Sequence, residues 1–264
     1  MMNYDENIRI ETKRDYLVVK SNELIQKSRF ALSLSEQKTI AYICSMIKPI
    51  DETKPEQPDN YQLDYEFNIR EYCKICGIDY DNGKNYINVK SVLQKLSDRS
   101  MWVKIGNEEV LCRWLAKVRL NKRKGIAYIR IDEDLAPFLF GLGQSFTQYQ
   151  LHNILTMRSA FSIRIYELMK SYAFQKTKEF DIDELKKLLY VDDVKSYANF
   201  KDFRKYVLEV AQHEINELTD LTISFEPIKQ GKKVVKVKFT IRAKKQNERM
   251  IAMLAVHEQL NKDI

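Results

Sequence analysis

The chain has 264 residues, 44% of them hydrophobic and 31% charged, enough apolar material for the cores of two domains of ordinary size. Its net charge is +7, which favours an acidic partner, and no apolar run approaches the ~20 residues of a membrane-spanning helix. Four cysteines without a framework and a polar, mixed-charge N-terminus, unlike a signal or transit peptide, set the expectation of a reducing cytoplasm.

In chain order, Tyr16-Leu17-Val18-Val19 reads as a strand and Ser21 to Arg29 as a short polar helix. Ser33 and Glu36 form a capping-box signature. The helix that follows turns Ile40, Ile43, Cys44 and Ile47 inward and stops before Pro49. Residues 48–62 hold three of the five prolines and read as a solvated loop. Leu63, Tyr65, Phe67 and Ile69 alternate as a strand; Arg70 to Cys76 is a second short helix ended by Gly77, and Asp79 to Asn85 a polar turn. A third helix, Tyr86 to Leu96, buries Tyr86, Val89, Val92, Leu93 and Leu96, and shows Lys84, Asn88, Ser91 and Lys95 on its other face. A strand from Met101 to Ile105 turns at Gly106-Asn107. A long strand, Val110 to Leu120, turns through Lys122, Arg123 and Lys124 to meet Ile126 to Ile131. Asp132-Glu133-Asp134 opens another helix, with its acids at the positive end.

The second half repeats this order. Ala160 to Ala173 is a helix, and Asp183 to Tyr190 a short helix matching Arg70–Cys76. Asn199 to about Leu218 is the new third helix, with an apolar stripe of Phe203, Val207, Val210, Ala211, Ile215 and Leu218. Leu221 to Phe225 alternates as a strand, Lys229-Gln230-Gly231-Lys232-Lys233 makes a turn, and Val235, Val237, Phe239 and Ile241 alternate back. The expected class is α+β: two tandem winged-helix domains related by internal pseudo-duplication. Leu96-Ser97-Asp98 and Leu218-Thr219-Asp220 mark matching junctions. The expected divisions are 1–145, 146–245 and a tail at 246–264, with the halves joined near residues 143–156. In the tail, Met250, Ile251, Leu254 and Ala255 suggest an amphipathic helix packed on the protein's own body.

Charge is sorted along the chain. Residues 221–245 carry eight Lys/Arg against Glu226 alone, and residues 113–130 carry seven against no acid, so each segment is net +7 and the remainder is net −7. Two basic hairpins on an otherwise acidic protein are the footprint of a polyanion-binding surface. In a winged helix, the third helix enters the major groove and the hairpin tip rests on phosphates. The candidate DNA contacts are therefore Lys201, Arg204 and Lys205 on the second third helix, and Lys229, Lys232 and Lys233 on its wing. In the first half they are Asn88, Ser91 and Lys95, with Lys122, Arg123 and Lys124 on the wing. Arg204 is the best candidate base reader, because a guanidinium grips guanine bidentately.

Three stretches carry the resemblance to a known family: LVVKSNELIQKSRFALSLSEQKTIAYICSMI, FTQYQLHNILTMRSAFSIRIYELMKSY and NFKDFRKYVLEVAQHEINELTDLTISFEPIKQGKKVVKVKFTI. Over residues 15–242 the chain resembles the iteron-binding plasmid replication initiators. It departs at Val210, where relatives often carry proline. The resemblance implies a protein that binds repeated origin sites in double-stranded DNA, helps open the origin, and represses its own promoter as a homodimer in equilibrium with the monomer. It also implies recruitment of a host initiator and the replicative helicase, with no catalysis. A dedicated transcriptional repressor on the same fold is the alternative.

Other motifs read as structural. Cys73 and Cys76 share a helical face with Ile69, as core cysteines do. Gly77 to Asn85 has the wrong spacing for a phosphate loop. His152, His213 and His257 are far apart in sequence, so neither a metal site, nor a cofactor, nor the histidine pair of a nicking enzyme is expected.

Overall fold

The structure, a computed structural model, describes residues 4–47, 61–80, 83–140 and 145–262; most of the proline-bearing loop and residues 143 and 144 of the expected join lie outside them. The chain opens with α1 (Tyr4–Arg14), β1 (Leu17–Ser21) and α2 (Asn22–Lys27), the last capped by the Ser21 hydroxyl accepting from the Leu24 N–H. The capping box forms. Ser33 Oγ accepts from the Glu36 N–H, and the Glu36 carboxylate accepts from the Ser33 N–H, starting α3 (Leu34–Met46). β2 (Asp64–Asn68) runs into α4 (Ile69–Ile75), whose cap is Asn68. α5 (Gly83–Asp98) follows and buries Val89, Leu93 and Leu96.

The next segment departs from the expected single long strand. β3 (Ser100–Ile105) pairs with β4 (Glu108–Arg113), while β5 (Leu115–Asn121) pairs with β6 (Ile126–Ile131) in a different sheet. The break falls at Trp114, whose buried indole meets Phe30 edge-on at 5.2 Å. Anchoring that bulky side chain in the core turns the strand from one sheet to the other. The acids at 132–134 open a 3-10 turn, Glu133–Phe138, rather than an α-helix; Asp132 caps it and Pro137 lies inside it.

The second half contains β7 (Phe146–Gln150), α6 (His152–Leu155), α7 (Ala160–Ser171), β8 (Thr177–Asp181) and α8 (Ile182–Leu188). Its third helix is α9 (Phe200–Phe203), a π turn at Arg204–Leu208, and α10 (Glu209–Leu218). β9 (Leu221–Gln230), β10 (Lys233–Ala243) and α11 (Gln246–Lys262) complete it.

The two halves match strand for strand. One sheet has the order β2-β6-β5 and the other β8-β10-β9, all antiparallel. In each, the strand before the second helix pairs with the returning strand of the wing. These are two tandem winged helices, the first enlarged by the β3–β4 hairpin. The short sequence match at 96–98 and 218–220 does fall at matching junctions, each where a third helix gives way to a strand, α5 to β3 and α10 to β9, but the acids differ in their partners. Asp220 accepts hydrogen bonds from Tyr166 and Lys170, whereas Asp98 ends an exposed helix turn that leads to the inserted hairpin.

The junction is an ordered assembly, not a simple linker. β1 pairs antiparallel with β7, from Leu17↔Gln150 to Ser21↔Phe146. Beneath it, Lys20 Nζ lies 2.7 Å from Glu167, which also accepts from the Tyr149 hydroxyl at 2.7 Å. Burial works to raise the Glu167 pKa, but the Lys20 charge and hydrogen bond, with help from Arg164 and Tyr149, hold it below the usual carboxylate range. Buried Arg164 lies 4.4 Å over the Phe30 ring and donates to the Ser28 carbonyl.

Two expected faces are corrected. Val210 is 37% exposed, while Leu208 is buried. The wide π turn retards the rotation of the helix, so the inward row becomes Phe203, Val207, Leu208, Ala211 and Ile215. In α11 the residues turned inward are Ala252, Val256 and Leu260, whereas Met250, Ile251 and Leu254 are 50%, 68% and 58% exposed. The helix does pack on the body. A Cβ added at Gly77 would lie 3.1 Å from Leu260 Cδ2, and Arg14 donates to Asn261.

Candidate nucleic-acid interface

Each winged helix presents one helix and one hairpin tip with exposed polar or basic side chains. On the second, Lys201, Arg204 and Lys205 are all exposed, Lys201 on α9 and the other two on the π turn. Asn199 caps the helix by accepting from the Asp202 N–H. Arg204 Nε pairs with Glu209 at 2.8 Å, and the Lys205 ammonium lies 5.1 Å from the exposed Tyr206 ring. On the first, Asn88 and Lys95 are exposed and Ser91 is half-buried on α5. Asn88 also donates weakly to Asn85 at 3.4 Å. The adjoining exposed row of Ile87, Lys90 and Gln94 escaped the sequence reading, which followed a single heptad-like line along the helix.

The wings differ from their strands in how their charge is balanced. Along the strands, several cations have acidic neighbours, although Lys117 and Arg119 on β5 form no ion pair among the described residues. Arg130 pairs with Asp64 and Glu133, Lys238 with Glu226 at 3.5 Å, and Lys236 with Glu179 at 4.0 Å. At the foot of the second wing Arg242 pairs with Glu248 at 2.9 Å; its hydrogen bond, with that of the Lys245 N–H, pulls the Glu248 carboxyl down to about 2. At the tips this stops. Lys122, Arg123 and Lys124 on one wing, and Lys229, Lys232 and Lys233 on the other, are exposed and form no ion pair among the described residues. Fully hydrated, uncompensated cations at a protruding turn are the groups best placed to exchange water and counterions for phosphate.

Glycine makes both tips. Gly125 has φ +65 and Gly231 φ +62, the left-handed region that glycine enters without steric cost. The second wing is pinned in register from Gln230↔Lys233 down to Leu221↔Ala243, with Val235 as the extra residue of a bulge. That bulge explains why Val235 does not continue the buried row of Val237, Phe239 and Ile241.

The remaining motifs resolve as follows. All four cysteines are free and buried, and burial pushes the Cys73 thiol to about 11 and Cys76 to about 12. Gly77, φ +66, serves a turn against which α11 packs. The separation of the histidines in sequence does not persist in space. His152 and His257 approach to 5.7 Å between ring centroids, beside Asp15. No spacing rule along the chain reveals such a meeting of the α6 turn with the C-terminal helix. Among the described residues no helix is long and apolar enough to cross a membrane.

Comparison with known proteins agrees with this architecture. The family "Initiator Replication protein, WH1" matches residues 17–170, and "Initiator Rep protein, WH2" matches residues 181–241. A replication initiation protein of Escherichia coli is 25% identical over 218 residues, which span 79% of this chain and 65% of that relative. The chain thus covers just under two thirds of the relative's length. An uncharacterized 27.6 kDa protein of Escherichia coli is also 25% identical, over 81% of this chain and 91% of its own. Among solved structures, the crystal structure of Pi initiator protein in complex with iteron DNA shares the fold. Its TM-score is 0.66 over 88% of this chain and 99% of that one, at 18% identity. With WH1 and WH2 matched in order on a twice-built winged helix, the chain belongs to the family of initiator replication proteins.

Proposed function

We propose that this protein initiates replication of a plasmid-type replicon by binding repeated origin sites in double-stranded DNA. The third helix of each winged helix enters a major groove, and the tips at Lys122–Lys124 and Lys229–Lys233 hold the flanking phosphates. Lys201, Arg204 and Lys205, with Asn88, Ser91 and Lys95, supply the groove contacts, and Arg204 reads a base. The observation that carries this reading is the sorting of charge: Arg130, Lys236 and Lys238 on the strands are paired with acids, whereas the cations at both tips form no ion pair among the described residues. Membership of the initiator family and the shared fold of an initiator solved with iteron DNA support it.

The remaining parts of the reading follow from it. Side-by-side occupancy of repeats strains the adjacent A·T-rich duplex and helps open it. A homodimer in equilibrium with the monomer represses the protein's own promoter, and bound monomers recruit a host initiator and the replicative helicase. Free, buried thiols suit a cytoplasmic protein. We divide the chain at 145/146, because α7 is the counterpart of α3, and assign the main sequence-specific contacts to residues 146–245.

Footprinting on the DNA flanking the gene tests the proposal. Protection of direct repeats of about two helical turns beside an A·T-rich stretch is the expected result. Protection of a lone inverted repeat at the promoter, with no repeats bound, identifies a dedicated repressor instead.

A further inference from the structure

We propose that Asp15, His152 and His257 bind one divalent transition-metal ion, zinc being the best fit, which fastens the C-terminal helix to the junction of the two halves. The three residues come from distant parts of the chain: the turn after α1, the first turn of α6, and α11. Their ligand atoms all lie within 4.8 Å of one another. His152 Nδ1 is 2.9 Å from Asp15 Oδ1, and His257 Nε2 is 3.6 Å from the same oxygen. Zinc held by nitrogen and oxygen at about 2.0–2.1 Å in a tetrahedron sets its ligand atoms roughly 3.3 Å apart. The two spacings bracket that value.

A second observation points the same way. His257 Nε2 is buried and has no hydrogen-bond partner among the described residues. At 3.6 Å the Asp15 carboxylate is too far to accept a hydrogen bond from it, yet well placed to share an ion with it. Burial also favours the neutral form of both imidazoles, and a neutral ring is the form that ligates. Two imidazoles and one carboxylate suit zinc, cobalt or nickel over magnesium or calcium, which prefer all-oxygen sets. Asp15 is partly exposed, which leaves room for a water as fourth ligand.

The surroundings indicate a structural role. The His152 side chain is only 5% exposed and that of His257 15%, so both imidazoles sit inside the protein body, away from the exposed wing tips and third-helix cations. Close by, Arg14 donates to the carbonyls of Lys74 and Ile75 and to the Asn261 side chain, and Leu260 packs against Gly77. An ion here adds its binding free energy to the docking of α11 on the first half. This role does not depend on the DNA-binding reading and stands or falls separately.

The test uses the full chain, stripped with a chelator and titrated with zinc or cobalt. The expected result is one ion per chain, a raised melting temperature, and slower proteolysis within residues 246–262. The cobalt complex should show d–d bands without the thiolate charge-transfer band that cysteine ligation gives. His257→Gln and Asp15→Asn, both at partly exposed positions, should each weaken binding about tenfold or more and abolish the metal-dependent protection, with metal-free folding retained by circular dichroism. The proposal is overturned if no stoichiometric binding occurs at micromolar free ion, if His257→Gln binds as the parent does, or if the cobalt spectrum shows thiolate ligation.

Discussion

Arg204 Nε lies 2.8 Å from the Glu209 carboxylate, a pairing across five residues that the π turn brings into register. In a regular α-helix, residues five apart do not face each other. Here the Glu209 N–H donates to the Arg204 carbonyl in the wide turn, and the two exposed side chains pair with each other. Glu209 therefore engages the candidate base reader in the free protein. Glu209→Gln should tighten binding to DNA of any sequence, because it removes a negative charge and frees the guanidinium. Arg204→Ala should cost about 1–3 kcal/mol at the specific site and relax sequence choice there. Fluorescence anisotropy on matched specific and scrambled duplexes separates the two. Equal losses for Arg204→Ala on both duplexes would show that another side chain reads the sequence.

The wing tips call for a different signature. Lys232→Ala should weaken specific and scrambled duplexes alike and flatten the dependence of log K on log salt by about one. Replacing Lys122, Arg123 and Lys124 together should flatten it further, by about 0.9 for each phosphate that is no longer neutralised. Arg242, engaged with Glu248 and Thr222, serves as the internal control. Its replacement should alter stability more than the salt slope. An unchanged slope in the tip variants would mean that the wings do not touch the DNA backbone.

The architecture was legible in the sequence because its signals are local. The capping box at Ser33 and Glu36, the glycines at 125 and 231, and the alternation of Val237, Phe239 and Ile241 each act over a few residues. What escaped depends on partners distant in sequence. Trp114 divides a strand-like run between two sheets because of where Phe30 sits. The burial of Leu208 in place of Val210 follows from a π turn that propensity does not encode. In α11, Ile251 and Leu254 read as core residues, but the helix is oriented by Leu260 against Gly77 and by Asn261 on Arg14. The cluster of Asp15, His152 and His257 belongs to the same class.

The buried Lys20–Glu167 pair should be the most sensitive point of the junction. Lys20→Met leaves a carboxylate buried without its cation and should cost about 3–5 kcal/mol, whereas Lys20→Met combined with Glu167→Leu should recover most of that loss. Urea unfolding of the three chains measures both. The pH dependence has a definite sign. Glu167 is held below its ordinary value of 4.5. So is Glu36: burial alone would raise it, but the Ser33 N–H and hydroxyl, together with Arg99, outweigh burial. A carboxyl with a depressed folded pKa contributes stability that is present above its unfolded value and lost as pH falls through the folded one. The contribution of these two groups should therefore be flat above the 4.5 region and fall away only at more acidic pH. In the double variant lacking Lys20 and Glu167 the acid limb should be shallower.

The proposed homodimer has a candidate contact surface. The β3–β4 hairpin is a separate two-stranded sheet, and its register partners Trp102 and Leu111 are 60% and 52% exposed. Ile105 adds a third exposed apolar side chain on the same hairpin. Such a surface keeps apolar area in water until it is covered, and in the proposed homodimer a second copy would supply a matching patch through a two-fold axis. Trp102→Ser with Leu111→Ser should shift sedimentation toward the monomer at concentrations where the parent dimerises. It should leave Arg204-dependent specific binding intact, because the hairpin lies on neither third helix nor either wing. If the dimer is the repressing form, the same variant should lose promoter repression while still occupying origin repeats. A variant that dimerises like the parent would place the contact elsewhere on the first half.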